Sequence, residues 1–434
     1  MKPAYFVWHF TLLSLLGLWL AVAHTPTITA APTDPPYEWE FTTLDSAGDV
    51  GSHLSLAVQP GTNIPHIAYY SVEQGLKLAA RTAEGTGNCG SANTWNCTIL
   101  QPTVEGVSIG RFPALAFRSD GSYGVLYHNS ATHTNHYFDS QTTSQTALGT
   151  QGYFNQLQYN LNDSPTFLFE TNTNVSLSTT VPCPGGGCPM LHGANVSALA
   201  IDANLLGTPS AVLIDEYDDL YYASQRPGNI GGNCANGAWQ CTHLQDLLNT
   251  IGPDGSSYTG IAFYQSKCLL PSNCTLKSTV AWYNYEWGAI TICKIDLTSC
   301  TGWQNVGAAP RPINTSPLEW PVGMDLVVYE NKLLLFYQDF NDQPFNAVVK
   351  MAYEVPAGTG NCGGDNTWQC IVVDDGNRGG GFISVGFGLQ AAVVDGRILL
   401  AYYDLFNKDL ILAETAVPLP PIENDFIYLP LVVK

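Results

Sequence analysis

A cysteine–tryptophan motif that recurs along the chain is the feature that most constrains the fold. Gly85–Cys97 and Gly358–Cys370 share the pattern G-T-G-N-C-G-x-x-N-T-W-x-C, and Gly232–Cys241 carries a shorter copy. Two short apolar runs, spaced like a β-hairpin, precede each copy, as in Pro65–Tyr70 followed by Gly75–Ala80. An internal repeat of this length predicts a fold assembled from similar β units.

Degenerate copies of this unit recur at intervals of about 40 to 65 residues, within or slightly above the periods of propeller blades. The centres of the first strands are Leu56, Leu115, Leu157, Leu199, Ile261, Leu326 and Ala391. The second strands end near Tyr70, Tyr127, Glu170, Ile214, Tyr283, Tyr337 and Tyr403. The sequence therefore predicts an all-β, seven-bladed β-propeller. Six or eight blades stay open as alternatives, because the second and third copies are the most degenerate.

The composition of the first strands favours a propeller over a flat sandwich. The residue directly after each strand centre is mostly small: Ala57, Ala116, Gln158, Ala200, Ala262, Val327 and Ala392. Innermost strands crowd around a propeller axis, where small side chains are expected. A sandwich would not require the same small residue in every repeat.

The two ends of the repeat region predict how the ring closes. The last copy lacks a fourth strand, and Trp39–Asp45 matches the fourth strands that begin Trp95-Asn-Cys and Trp368-Gln-Cys. An N-terminal strand that completes the last blade leaves no open edge. We expect a signal peptide at 1–23, a Pro/Thr-rich linker at 24–38, the propeller at 39–416 and a C-terminal tail at 417–434.

The N-terminus predicts export. Lys2 precedes an apolar run that ends in Ala21-Val22-Ala23, an A-x-A cleavage pattern. The alternative is an uncleaved membrane anchor, since the run is almost long enough to span a bilayer. Both interpretations place the remainder of the chain at the cell surface or in the secreted fraction. Contact with a membrane is expected only through this segment, if it is uncleaved.

The cysteines agree with an oxidising compartment. They form six close pairs: Cys89 with Cys97, Cys183 with Cys188, Cys234 with Cys241, Cys268 with Cys274, Cys293 with Cys300 and Cys362 with Cys370. We expect local disulfides, mostly between third and fourth strands, with the bridge from Cys268 to Cys274 between first and second strands. Zinc is the alternative, but C-x2-C spacing with a nearby His is missing from the sequence.

Charge narrows the class of partner. The 434 residues include 36 acidic and 16 basic side chains, for a formal net charge of −20. Nucleic acid is disfavoured as a partner because its phosphates require a basic surface. Neutral sugars, basic surface proteins and cations are electrostatically easier ligands.

The repeats resemble exported bacterial propellers of the sialidase-like superfold that carry P-x-I-A-Y-Y-D and G-N-C-G…W-x-C motifs. The resemblance rests on stretches such as Pro65-His-Ile-Ala-Tyr-Tyr70 and covers most of the chain. The ending Tyr428-Leu-Pro-Leu-Val resembles those of exported proteins from filamentous green bacteria. These resemblances imply a fold without a settled function.

Enzyme motifs in the sequence are weak. Gly85–Gly90 matches G-x-G-x-x-G but leads into a disulfide hairpin rather than a helix. Gly106–Gly110 matches G-x-S-x-G but aligns with the turn into another first strand. Ser119–Tyr123 lacks the spacing and the Trp of a sialidase Asp-box. Paired carboxylates such as Asp404 and Asp409 could serve a hydrolase or bind calcium, or could simply belong to hairpin turns.

The candidate binding face is the one where second strands end and first strands begin. Polar residues follow the aligned aromatic position: Ser71, His128, Thr171, Asp215, Asn284, Gln338 and Asp404. The full set of candidate ligand-binding residues is Tyr70, Tyr127, His128, Glu170, Asp215, Glu216, Tyr217, Asp218, Tyr283, Glu286, Trp287, Asp339, Phe340, Tyr403 and Asp404. Aromatic faces and carboxylates suit a glycan. The alternative is that the Tyr column packs between blades.

Three functions follow as hypotheses. The first is a non-enzymatic binding propeller that recognises a glycan or a surface protein, with no required cofactor and with calcium as an option. The second is a polysaccharide-acting hydrolase or lyase. The third is a structural protein of a cell-surface assembly.

Overall fold

The computed structural model describes residues 38–149, 152–171, 174–178, 190–194, 196–217, 219–226, 228, 230–234, 237–246, 260–267, 276–284, 289–296, 299–308, 322–329, 331–340, 346–377 and 383–416. The chain divides into two compact units, Met1–Pro36 and Tyr37–Lys434, and every described residue belongs to the second. The predicted signal peptide, nearly all of the predicted linker and the predicted tail lie outside the described residues.

The described residues form antiparallel β-sheets, together with 3-10 turns such as Ser91–Asn93. Five sheets have four strands each, hydrogen-bonded in chain order. Their strands are β2 (Val50–Val58), β3 (Pro65–Ser71), β4 (Gly75–Arg81) and β5 (Trp95–Pro102); β6 (Ile109–Phe117), β7 (Tyr123–Asn129), β8 (Thr134–Asp139) and β9 (Ser144–Ala147); β10 (Tyr153–Tyr159), β11 (Pro165–Thr171), β12 (Asn174–Ser178) and β13 (Met190–His192); β14 (Val196–Ala203), β15 (Pro209–Asp215), β16 (Asp219–Gln225) and β17 (Trp239–Asp246); and β18 (Ile261–Tyr264), β19 (Thr279–Asn284), β20 (Ala289–Asp296) and β21 (Ser299–Ala308).

The remaining strands form one sheet of eight. They are β1 (Trp39–Asp45), β22 (Met324–Tyr329), β23 (Lys332–Phe340), β24 (Asn346–Glu354), β25 (Trp368–Asp374), β26 (Ile383–Val394), β27 (Arg397–Asp404) and β28 (Asp409–Thr415). Two antiparallel sets of four strands, β22–β25 and β26–β28 with β1, meet only where β24 pairs in parallel with the start of β26. The all-β prediction is confirmed, and these sets of four strands are consistent with propeller blades.

The pairing predicted for the N-terminal strand is confirmed. β1 runs antiparallel to β28, with Trp39 opposite Thr415 and Asp45 opposite Leu410. Asp45 also accepts hydrogen bonds from Tyr69 and Lys77 of the sheet formed by β2–β5. A strand from the start of the chain is therefore held by both the last strand and the first complete sheet.

The first strands of neighbouring sheets contact one another in succession: β2 with β6, β6 with β10, β10 with β14, β14 with β18, β18 with β22, β22 with β26, and β26 with β2. Side chains directly before the centres of some first strands accept hydrogen bonds from the backbone of the neighbouring first strand. Leu115 N donates to Ser55 Oγ at 2.9 Å, and Leu56 N donates to Gln390 Oε1 at 2.7 Å. Backbone groups on the innermost strands are thus satisfied by the adjacent sheet.

The repeated G-N-C motif has a local structural cause. Asn88 accepts from Cys97 N at 2.6 Å and donates to Cys97 O at 3.0 Å, so its amide substitutes for a strand partner. A Cβ on Gly87 would stand 2.0 Å from Trp95 O, which only glycine avoids. The same Asn pairing recurs at Asn233 and Asn361.

Four of the six predicted disulfides are present in the described part of the chain: Cys89–Cys97, Cys234–Cys241, Cys293–Cys300 and Cys362–Cys370. Each joins a third-to-fourth-strand connection or hairpin, as the sequence predicted.

The other two predicted disulfides lie outside the described residues. One would join Cys183 to Cys188, and the other would join Cys268 to Cys274. Neither Cys188 nor Cys274, nor the partner predicted for each, is described, so these two bridges stay predictions. Among the described residues, no helix has the length and apolar character needed to cross a membrane.

Candidate ligand-binding site

The ends of the second strands alternate between two packing directions. One column packs against the preceding sheet and is almost fully buried: Tyr69, Tyr127, Phe169, Leu213, Trp282, Tyr337 and Tyr402. The next residue in each strand faces the following sheet: Tyr70, His128, Glu170, Ile214, Tyr283, Gln338 and Tyr403.

This register differs from the sequence alignment at two positions. Tyr127 and Tyr337 were aligned with Tyr70 and Tyr403, but they occupy the column that faces the preceding sheet. β7 continues for one residue beyond His128 before it turns, and β23 continues for two residues beyond Gln338. An alignment based on the strand ends therefore places Tyr127 and Tyr337 one residue out of register. A one-residue shift moves every side chain to the opposite face of a strand.

Two tyrosine hydroxyls of the buried column donate hydrogen bonds to the outermost strand of the preceding four-stranded set. Tyr69 donates to Asp45 at 2.7 Å, and Tyr402 donates to Asp374 at 2.5 Å. Burial and the neighbouring Asp45 raise the pKa of Tyr69. At these positions the aromatic side chains join one sheet to the next.

Asp215 and Asp404 hold the turns that follow their strands. Asp404 accepts from Phe406 N at 3.0 Å, Asn407 N at 3.1 Å and Asn407 Nδ2 at 2.8 Å. Asp215 accepts from Tyr217 N and Asp219 N, both at 3.0 Å, and lies 3.1 Å from His192 Nε2.

Both of these carboxylates are buried. Burial opposes ionisation of Asp215, but hydrogen bonds from His192 and from the turn amides lower its pKa below the usual range. Each carboxylate is buried because it folds back under its own turn and accepts hydrogen bonds from the turn amides.

Other predicted residues are distributed around the same face. Asp339 is buried and forms an ion pair with Lys350, and Phe340 packs in a cluster with Phe387 and Tyr403. Tyr217 is 71% exposed, and Glu216 is also exposed. Asp218, Glu286 and Trp287 lie outside the described residues.

His128 and Glu170 are buried titratable groups of the second column. Burial lowers the pKa of His128 to about 4 and raises that of Glu170 to about 8. In both cases burial favours the uncharged form of the side chain. The His128 ring lies 5.1 Å from the ring of Tyr153, which opens β10.

A cavity of about 150 Å³ lies where the first strands begin. Every first strand contributes to its wall: His53, Leu54, Phe112, Phe154, Asn155, Gln156, Ala198, Leu199, Gly260, Ile261, Val322, Met324, Gly388, Leu389 and Gln390. The described lining residues include no Asp, Glu, Lys or Arg. Several, including Phe154, Gln156 and Gln390, are half-buried, so solvent reaches the cavity.

Aromatic rings form one side of this cavity. The ring centroids of His53 and Phe112 are 4.3 Å apart, and those of Phe112 and Phe154 are 5.7 Å apart. Asn155 donates to Phe112 O at 2.9 Å and accepts from Asn135 at 2.7 Å, which fixes the backbone beneath the rings.

Backbone irregularities at the starts of the strands turn these side chains inward. Phe112 and Phe154 have φ values of 50° and 47°, in the left-handed region that bulky residues rarely adopt. Register shifts occur beside both residues. Such strain costs of order 1–3 kcal/mol and is concentrated at functional sites.

The residues of this cavity were not predicted from the sequence, because the predicted residues lie at and just beyond the ends of second strands. The one available signal was the glycine that precedes each irregular stretch, as at Gly51 and Gly110. In the described part of the chain, no group of three or more His, Cys, Asp or Glu side chains could hold a metal ion.

No protein-family model and no curated protein sequence matches the chain. A protein of unknown function from Dyadobacter fermentans aligns over 86% of this chain and 97% of its own, at 11% identity and a TM-score of 0.47. The Aleuria aurantia lectin, solved with alpha-methyl-L-fucoside, aligns over 78% of this chain and 99% of its own, at 9% identity and a TM-score of 0.41.

An intramolecular trans-sialidase from Ruminococcus gnavus aligns over 83% of this chain and 93% of its own, at 10% identity and a TM-score of 0.39. These are likenesses of backbone arrangement among propeller-like proteins. Nothing about the ligand or activity of this chain follows from them.

Proposed function

We propose that the chain is an exported seven-bladed β-propeller that acts as a non-enzymatic glycan-binding module. The blade count is supported by the succession of first-strand contacts, which returns from β26 to β2. In this arrangement the parallel pairing of β24 with β26 joins two neighbouring blades, and β1 completes the last blade beside β28.

Export is supported by the signal-like N-terminus and by the disulfides. Lys2 and the Ala21-Val22-Ala23 pattern favour cleavage after residue 23. Four short-range disulfides are typical of proteins that fold in an oxidising compartment.

The observation that carries the binding proposal is the axial cavity. Aromatic rings and neutral amides surround it, and such groups stack on the apolar faces of sugars and hydrogen-bond to their polar substituents. The buried Asp215 and Asp404 then serve as turn supports for the face around the cavity, while exposed Tyr217 offers a ring at its outer loops.

A hydrolase or lyase is the less favoured alternative. A glycosidase needs two carboxyl groups on either side of the scissile bond. The described lining of the cavity contains no Asp or Glu, and the buried carboxyls Asp215, Asp339 and Asp404 are engaged in turns or an ion pair. A structural assembly role would instead require ordered self-association.

The test is a glycan array with the purified full-length exported protein, followed by titration calorimetry of the strongest ligand. Phe154→Ala removes a half-buried ring from the cavity wall, and we expect it to weaken binding about three- to tenfold. Phe117→Ala is the matched control, because Phe117 is a half-buried ring at the far end of another first strand.

The control variant should bind within about twofold of the unaltered protein. The proposal fails if no glycan is retained on the array. It also fails if Phe117→Ala weakens binding as much as Phe154→Ala, or if the bound glycan is cleaved. Concentration-dependent growth of ordered assemblies without glycan binding would favour the structural alternative.

A further inference from the structure

The cavity contains two glutamine amides whose orientations are determined by their protein partners. Leu56 N donates to Gln390 Oε1 at 2.7 Å, so the Gln390 amide must turn its oxygen toward that strand. Its Nε2 is left for the cavity, and no described residue accepts from it. Gln390 therefore presents N–H donors.

Gln156 has the opposite orientation. Its Nε2 donates to Leu199 O at 3.3 Å, an acceptor that requires the NH2 end of the amide. The Oε1 atom of Gln156 remains, with no donor among the described residues. One wall of the cavity thus offers a donor and another offers an acceptor, and both are neutral.

Much of the remaining wall is apolar, beside the polar side chains of His53 and Asn155. Leu54, Leu199, Val322, Met324 and Leu389 contribute aliphatic or thioether surface. At roughly 10–15 Å³ for each water-sized group, 150 Å³ has room for about ten such groups. An acetamido group, which has four non-hydrogen atoms, fits within that space.

From these observations we infer that the cavity binds the acetamido group of an N-acetylated sugar. The carbonyl oxygen of the acetamido group accepts from Gln390 Nε2, its N–H donates to Gln156 Oε1, and its methyl group contacts the aliphatic wall. The sugar ring lies against the half-buried ring of Phe154. This inference rests on the proposed glycan-binding function and specifies the class of glycan.

A charged substituent does not match this wall. A carboxylate would meet Gln156 Oε1, and an ammonium group would meet Gln390 Nε2, with no described countercharge in the lining. A hydroxyl group can both donate and accept, but it carries no methyl group to contact the aliphatic wall. An acetyl-lysine side chain also carries an acetamide, but it lacks a sugar face to stack on Phe154.

The test compares chitotriose (the N-acetylglucosamine trimer) with cellotriose, which differs only in having hydroxyls in place of the acetamido groups. We expect the full-length protein to bind chitotriose at least tenfold more tightly in titration calorimetry. Gln156→Met keeps the length of the side chain and removes the acceptor, and we expect it to reduce this preference to within about twofold.

Gln158→Met is the matched control. Gln158 is also a half-buried glutamine of β10, two residues along the strand and outside the cavity lining. It should retain the tenfold preference. Because the readout is a ratio of two affinities, a general loss of stability in either variant does not imitate the result.

Equal affinity for the two trimers, or a preference that survives Gln156→Met, overturns the inference while leaving glycan binding intact. Tighter binding of an acetyl-lysine peptide than of chitotriose also overturns it. Binding to no glycan of any kind refutes the proposed function itself.

Discussion

Asp404 acts at the residue scale as the support of a turn. Its two carboxylate oxygens accept three hydrogen bonds from Phe406 and Asn407, and the residue is buried. We expect Asp404→Ala to reduce the free energy of unfolding by about 1–3 kcal/mol, because two turn amides and the Asn407 side chain lose their acceptor. Asp404→Asn keeps one acceptor oxygen and should cost less. Calorimetric melting of the two variants measures this, and an unchanged melting temperature in Asp404→Ala would contradict it.

Glu170 introduces a pH dependence at the same scale. Burial raises its pKa in the folded state to about 8, above the value of an exposed glutamate. The folded state therefore holds this proton more tightly than the unfolded state, so the contribution to stability is complete below about pH 4.3 and is lost as pH rises toward 8.

Glu170→Gln removes the loss of stability at high pH, because a glutamine side chain does not ionise. We expect the variant to melt at a higher temperature than the unaltered protein at pH 8 and at a similar temperature at pH 4.5, with a difference of roughly 1–4 kcal/mol at pH 8. Melting curves across this pH range provide the measurement. A constant difference between the two proteins at all pH values would show that the carboxyl does not titrate in this range.

At the scale of elements, β1 protects an edge. It pairs along the whole of β28, and its Asp45 bonds to Tyr69 and Lys77. A chain that begins at Ser46 would expose the edge of β28 and remove the carboxylate that Tyr69 and Lys77 share, so we expect aggregation. A chain that begins at Tyr37 keeps β1 and is the control. Light scattering during refolding distinguishes the two, and equal solubility would contradict the role assigned to β1.

Each disulfide loop is expected to stabilise the protein locally. Cys89–Cys97 closes a short loop in which the Asn88 amide also bonds to Cys97. Replacing both cysteines by serine should cost roughly 2–3 kcal/mol in the chain-entropy model and leave the protein folded. Melting of the double variant beside the unaltered protein checks this. A chain that fails to fold would show that this loop is needed for the sheet itself.

At the scale of the whole molecule, charge distinguishes the two classes of partner. The net charge of −20 attracts basic proteins and is indifferent to neutral sugars. We expect glycan affinity to change less than twofold between about 50 and 500 mM NaCl, because screening acts only on charged ligands. Titration calorimetry at both salt concentrations is the measurement. A steep fall in affinity would indicate a cationic ligand.

Much of the architecture was predictable because it depends on local pattern. β1 begins with a Trp, as the clear fourth strands do, so its short sequence was sufficient to predict that it pairs with β28. The described cysteine pairs are seven or eight residues apart, so nearness in sequence was sufficient to pair them. Gly106–Gly110 leads into β6 rather than forming a nucleophile elbow, as the comparison of repeats predicted.

Only the tertiary structure decided the facing of side chains and the place of the cavity. Tyr127 and Tyr337 face the preceding sheet because small differences in strand length reverse the two-residue period. Asp215 and Asp404 are buried by the path of their own turns, which pattern alone left open. The cavity joins stretches from His53 to Gln390 that are distant in sequence, and left-handed residues such as Phe112 direct them inward. A site assembled from many strand starts exists only once the sheets have packed together.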